Sequence, residues 1–147
     1  MSGDWQNVDY SLLGDDHVRA YRESDGEVGY VWNGAPTLLL TTIGRRSGEP
    51  RTSALIYGRD GDDFLIVGSV GGMPKHPAWY LNLQADPRAH LQVKGDHVEV
   101  EAHTASDDEK PRLWQIMQDI WPNYDVYQSR TDRTIPVVVL RPASGDR

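Results

Sequence analysis

Between Thr37 and Val67 the chain sets short apolar runs against polar turns that contain glycine. Leu38–Ile43, Thr52–Tyr57 and Phe64–Val67 are rich in aliphatic and β-branched residues, which predicts consecutive antiparallel strands. A further hairpin is predicted from Arg88–Lys94 and His97–Thr104, joined through Lys94-Gly95-Asp96. Ile135–Leu140 reads as a last, largely buried strand, with Pro136 placing its start at a sheet edge, and Val28–Trp32 as a short one.

Helical spacing appears elsewhere. Leu12, Leu13, His17, Val18 and Tyr21 share one face, predicting an amphipathic helix over Leu12–Glu23. Its polar positions hold Asp15, Asp16 and Glu23, so packing across a barrel mouth is favoured over anchoring at an anionic membrane surface. Met73–Leu83 carries prolines at a helix start, and Asp86-Pro87 stops it. Ser106 with Glu109 three residues on is a capping box ahead of Leu113, Trp114, Ile116, Met117 and Ile120, and the helix stops at Trp121-Pro122. Aromatics then recur at Trp121, Tyr124 and Tyr127, one face of a further helical segment. That stripe reads equally as core or as a pocket wall. Short consecutive strands without a βαβ alternation predict an α+β fold, mainly β, built on a split antiparallel barrel. One domain over 1–147 is expected: arm and helix over 1–36, barrel over 37–142, tail over 143–147.

Composition narrows the function. A chain of 147 residues, 38% hydrophobic and 25% charged, supports a single core. It has no run long enough to span a membrane, and its acidic start lacks a signal-peptide core, so a cytoplasmic protein is expected. No cysteine is present, which excludes disulfides and thiolate chemistry. A net charge of −7 speaks against nucleic acid as a partner. Against that background Arg45, Arg46 and Arg51 crowd around Gly44 and Gly48, the pattern of a specific anion site. Gly68-Ser69-Val70-Gly71-Gly72 would let a flat ligand approach the backbone.

Few residues offer chemistry of their own. His97, Glu99, Glu101 and His103 share a strand face, but same-face neighbours stand roughly 7 Å apart, so four in a row do not close on one ion. That row reads as a solvated face, and no metal is expected. Ser47, Ser53 and Ser69 lie outside any G-x-S-x-G elbow, and Gly44–Gly48 lacks the Lys-Ser/Thr ending of a P-loop. Backbone, arginines, serines and aromatics suit a bound redox cofactor that does the chemistry itself.

Three stretches, LLLTTIGRRSGEPRTSALIY, KHPAWYLNLQADP and YQSRTDRTIPVVVLRP, together resemble the deazaflavin-dependent nitroreductase family over roughly Leu38–Pro142. The resemblance implies a split β-barrel that binds reduced coenzyme F-420, a deazaflavin with an oligoglutamate tail. It assigns the phosphate and tail to Arg46 and Arg51 with Arg45 nearby, and the ring to the backbone of Ser53, Ala54 and Leu55. Gly68 and Ser69 would lie under the cofactor, with Lys75, Ala78, Trp79 and Asn82 flanking it. Val70 stands where a cation is common, shifting part of the grip to Lys75. Trp121, Tyr124 and Tyr127 match the substrate pocket, and Ser69 or Tyr124 would orient the acceptor or supply a proton. The implied reaction is hydride transfer to a quinone, nitroaromatic or activated enone. Some relatives act on membrane quinones, so peripheral contact with the plasma membrane stays open. Alternatives are an FMN-binding split barrel, a deazaflavin carrier without catalysis, and, weakest, a haem-binding barrel.

Overall fold

The computed structural model describes residues 11–69 and 72–143; most of the expected arm, Val70 and nearly all of the tail lie outside them. The order is α1 (Gly14–Ser24), β1 (Val31–Trp32), β2 (Ala35–Ile43), β3 (Pro50–Ile56), β4 (Gly58–Asp60), β5 (Asp63–Val67), α2 (Ala78–Ala85), β6 (Arg88–Val93), β7 (Asp96–Thr104), α3 (Lys110–Ile120), α4 (Asn123–Ser129) and β8 (Val137–Pro142). Every strand pairing is antiparallel, and β2, β6, β7, β8, β5 and β4 follow one another in the sheet.

The sheet curls because of one bend. The predicted run Thr52–Tyr57 does not end as a simple strand: β3 pairs with β2, Tyr57 turns the chain, and β4 pairs with β5 at the far end of the order. One chain segment thus joins both ends of the sheet into a split barrel. Among the described residues β3 pairs only with β2, so its other edge is open to a further hydrogen-bonding partner.

Period-two alternation then sorts the core. On β8, Val138 and Leu140 join Leu38, Leu40, Ile66, Leu91 and Val100 in one cluster. Val137 and Val139 turn the other way and pack with Leu65, Leu113, Met117, Trp121 and Tyr124 under α3 and α4. Gly58 lets α3 come close, since a Cβ there would meet Met117 Sδ at 2.7 Å.

Three expectations change. β8 is an interior strand between β7 and β5, so Pro136 marks no edge; it precedes the ladder, and its carbonyl accepts the Gly68 N–H at 3.0 Å. β8 runs on past the predicted strand end at Leu140 and takes in Arg141 and Pro142. α2 starts at Ala78, not Met73, because a residue before proline is pushed out of the helical region, and Pro77 caps the helix. The capping box forms as read, with Ser106 N–H donating to Glu109 Oε1 at 3.0 Å and Glu109 N–H to Ser106 Oγ at 3.2 Å. α1 lies against β3 with Tyr21 fully buried; the Tyr21 hydroxyl donates to Thr37 O at 3.0 Å and accepts from Lys94 N–H at 2.7 Å.

Gly72 ties the loop after β5 to α4. Its φ is +84°, and a Cβ there would stand 2.4 Å from the Tyr127 carbonyl oxygen, which is backbone and does not yield. Gly72→Ala is expected to cost about 1–3 kcal/mol through overpacking and backbone strain. A denaturant midpoint equal to wild type would mean that loop and helix separate freely.

Candidate active site

The turn between β2 and β3 is closed by Gly44 N–H to Glu49 O and Gly48 N–H to Gly44 O, both 2.8 Å. A Cβ on Gly44 would meet Ser47 Oγ at 2.7 Å and the Glu49 carbonyl oxygen at 3.1 Å, so glycine keeps this turn tight. The turn is held from α2. Buried Asn82 accepts from Arg45 N–H at 3.2 Å and Arg45 Nη1 at 2.9 Å, and its own amide donates to Thr42 Oγ1 at 3.1 Å.

Around this turn opens a groove of about 810 Å³. Arg45, Arg46 and Arg51 line it together with Arg19 and Arg22 of α1, facing the carboxylates of Asp15 and Glu23. Arg19 is paired with Asp16 at 3.2 Å, and Arg22 donates to Thr52 Oγ1 at 3.1 Å. Among the described residues Arg46 and Arg51 have no ion-pair partner. Cations without partners in an acidic protein are what a bound anion needs.

A second cavity, of about 360 Å³, adjoins the groove, and Ser53 and Trp79 line both. Ser53, Ala54 and Leu55 form one wall on the open edge of β3, while Ser69 and Val67 come from the β5 end. Trp121, Tyr124 and Tyr127 close it from α3 and α4, and Leu13, His17 and Trp32 from the N-terminal side. Trp121 Nε1–H donates to the Tyr127 hydroxyl at 3.3 Å, and Trp121 packs on Trp32 with ring centroids 5.6 Å apart. Burial and the neighbouring Tyr127 push the Tyr124 phenol above its ordinary value, so it stays protonated. An arginine-rich channel opening into an aromatic slot, with free strand-edge backbone between them, fits a flat ring carrying a long anionic tail.

The sequence profile of the F420H(2)-dependent quinone reductases matches residues 15–142. The chain belongs to that family. It is 46% identical over 128 residues to an F420H(2)-dependent quinone reductase of Mycobacterium tuberculosis, covering 84% of this chain and 86% of the relative. Among solved structures, an F420-H2 dependent reductase is 34% identical with a TM-score of 0.68, over 72% of this chain and 94% of that one. A chain solved as a domain-swapped dimer is 32% identical with a TM-score of 0.69, over 86% and 98%.

The fold brings most of the predicted residues of this quinone reductase family member to the two cavities. Arg45, Arg46, Arg51, Ala78 and Asn82 line the groove; Ala54, Leu55, Ser69, Trp121, Tyr124 and Tyr127 line the slot; Ser53 and Trp79 line both. Gly68 lines neither: its place is under Pro136, whose Cγ would be 3.1 Å from a Cβ. Lys75 is exposed and lines neither cavity, and Val70 lies outside the described residues. Asn82 spends its side chain on Arg45 and Thr42, so it holds the turn.

Sequence reasoning missed Arg19, Arg22, His17 and Trp32, which only the packing of α1 and β1 brings in, and it missed Arg133. From the loop after α4, Arg133 donates to Gly68 O at 3.0 Å, Ser69 O at 2.8 Å, Met73 O at 3.1 Å and His76 Nδ1 at 2.9 Å. Gln128 of α4 in turn donates to Arg133 O at 2.7 Å. One guanidinium thus latches the Ser69 loop to the helix that carries Tyr124. Because arginine only donates, His76 Nδ1 must accept, which requires a neutral ring. Burial, then the charge of Arg133, holds the His76 pKa below its ordinary 6.5.

A histidine depressed in the fold binds fewer protons than in the unfolded chain. Its contribution is therefore complete above pH 6.5 and is lost as pH falls through the lower folded value. His76→Gln is expected to remove this part of the acid destabilisation. The check is the denaturant midpoint of both proteins between about pH 7.5 and 5, the range over which histidines titrate. Parallel pH profiles would mean that the latch does not depend on His76.

Proposed function

We infer that this protein is an F420H2-dependent oxidoreductase that reduces quinone- or nitroaromatic-type acceptors. The observation that carries the reading is the continuity of the arginine groove with the aromatic slot through Ser53 and Trp79. Family membership supports the cofactor, and the names of the family and of its mycobacterial relative supply the quinone class. When bound, reduced deazaflavin supplies a hydride. Arg46 and Arg51 would hold its phosphate and acidic tail, with Arg19 and Arg22 extending the positive channel along α1. The open edge of β3 at Ser53–Leu55 would offer backbone hydrogen bonds to the ring, and Trp79 would bound it. Ser69 and Tyr124 would orient the acceptor oxygen, since neither hydroxyl has a hydrogen-bond partner among the described residues. Trp121 and Tyr127 would exclude water and keep the acceptor flat.

FMN has less support: its single phosphate would leave most of the five arginines unused. A carrier would have no need of the aromatic slot. The test is titration of the purified protein with oxidised F-420 and, separately, FMN, followed by dialysis and absorption spectra. Retained F-420 with released FMN supports the reading, as does F420H2 oxidation that depends on added menadione. Retention of FMN alone would sink it. We further propose that Leu13, exposed and lining the slot, sets how its mouth meets a lipophilic acceptor.

A further inference from the structure

His17 is buried on α1, 4% exposed, and lines the aromatic slot beside Ser69, Trp79 and Tyr124. One of its nitrogens is committed. Nε2 lies 2.8 Å from the carbonyl oxygen of Gly29, and a carbonyl only accepts, so Nε2 carries a hydrogen in either charge state. The same ring edge is pressed on Gly29, where a Cβ would stand 2.9 Å from Cδ2 and 3.1 Å from Nε2. Trp32 stacks on the ring at 6.4 Å and 25°. Nδ1, on the opposite edge, has no hydrogen-bond partner among the described residues. Nδ1 is therefore the one ring nitrogen whose hydrogen bond the fold leaves open to a bound ligand.

The reaction needs one proton. A quinone that receives a hydride has taken both electrons and one hydrogen, and a single proton on the second oxygen completes the neutral hydroquinone. A nitro group that receives a hydride and a proton loses one oxygen as water and becomes a nitroso group. Tyr124 is a poor source, because burial favours its protonated form. Efficient acids are those that titrate near the working pH, as imidazoles do.

We propose that His17 is a catalytic residue of the acceptor site, donating the Nδ1 proton to the acceptor oxygen while Nε2 stays bonded to Gly29. The ring passes from imidazolium to neutral imidazole, and water at the open slot returns the proton. This assignment rests on the reductase reading above.

His17→Gln retains an amide donor for Gly29 O and removes Nδ1; His17→Gly leaves room for free imidazole. With F420H2 and saturating menadione, kcat of His17→Gln is expected to fall about 10²-fold at unchanged F-420 affinity. Added imidazole should restore about tenfold of the loss in His17→Gly. A cofactor-free readout uses 2-hydroxy-1,4-naphthoquinone, an anion that mimics the developing charge. Tryptophan fluorescence should show it binding the wild-type protein about tenfold more tightly than His17→Gln, the scale of one charge-assisted hydrogen bond. Support requires both the rescue and the tighter probe binding, and the absence of either overturns the assignment. A lowered melting temperature with kcat unchanged makes His17 a strut for Gly29 and also overturns it. Wild-type protein that fails to oxidise F420H2 brings down the reductase reading, and this inference with it, whereas normal wild-type turnover matched by His17→Gln defeats this inference alone.

Discussion

Arg46→Ala and Arg51→Ala are each expected to weaken F-420 binding by about 1.5–3 kcal/mol, about ten- to 150-fold, the range for hydrogen bonds to a charged group. Both side chains line the groove and neither has an ion-pair partner among the described residues, so their removal takes away ligand contacts and leaves the fold's own contacts in place. Both are exposed, which places the single changes toward the lower end of that range and makes the loss smaller at high salt. The double variant should lose less than the sum if both hold one phosphate. Arg45→Ala is the contrast: its guanidinium and amide both reach Asn82 Oδ1, so that change should also lower the melting temperature. Quenching of deazaflavin fluorescence measures the affinities. Dissociation constants equal to wild type in both single variants would move the anion site away from the β2–β3 turn.

Local signals carried much of this molecule in the sequence. Glycine and proline punctuate the strands, β8 and β5 are short continuous apolar runs, and the Ser106–Glu109 box needs only neighbours to form. The arginine-rich turn over 44–51 was legible as a turn for the same reason, since its geometry is set within a few residues. What tertiary packing decides was hidden. Tyr57 turns the chain from β3 into β4, and nothing in the predicted strand Thr52–Tyr57 announces that Gly58–Asp60 just beyond it pairs on the opposite side of the barrel. Arg19 and Arg22 looked like the solvated face of a helix until α1 settled on β3. Arg133 looked like one more loop cation, because its value lies in four partners between 57 and 65 residues away in sequence. The aromatic stripe posed a choice between core and pocket that the fold dissolves: Trp121 and Tyr124 belong to the cluster under α3 and also line the slot.

That double role shapes the remaining large effect, Tyr124→Phe. The substitution keeps the ring, its edge contact with Tyr127 at 6.1 Å and its packing on Trp114, and deletes only a hydroxyl. The hydroxyl has no partner among the described residues, and burial keeps it protonated, so it is a donor available to a bound acceptor. A preorganised donor aimed at an oxygen that gains charge is worth about 10²-fold or more in kcat, as removal of oxyanion-hole donors shows. Tyr124→Phe is therefore expected to lower kcat about 10²-fold with menadione while F-420 affinity stays at its wild-type value. Tyr127→Phe should do less, because that hydroxyl already accepts from Trp121 Nε1. Trp121→Tyr gives up that bond and the contact with Trp32, widening the slot and shifting preference toward nitroaromatic acceptors. Steady-state rates with one quinone and one nitroaromatic, beside binding titrations of every variant, separate these effects. If the three substitutions instead weaken F-420 binding and spare turnover at saturation, the stripe serves the cofactor, and the acceptor must lie elsewhere in the barrel mouth.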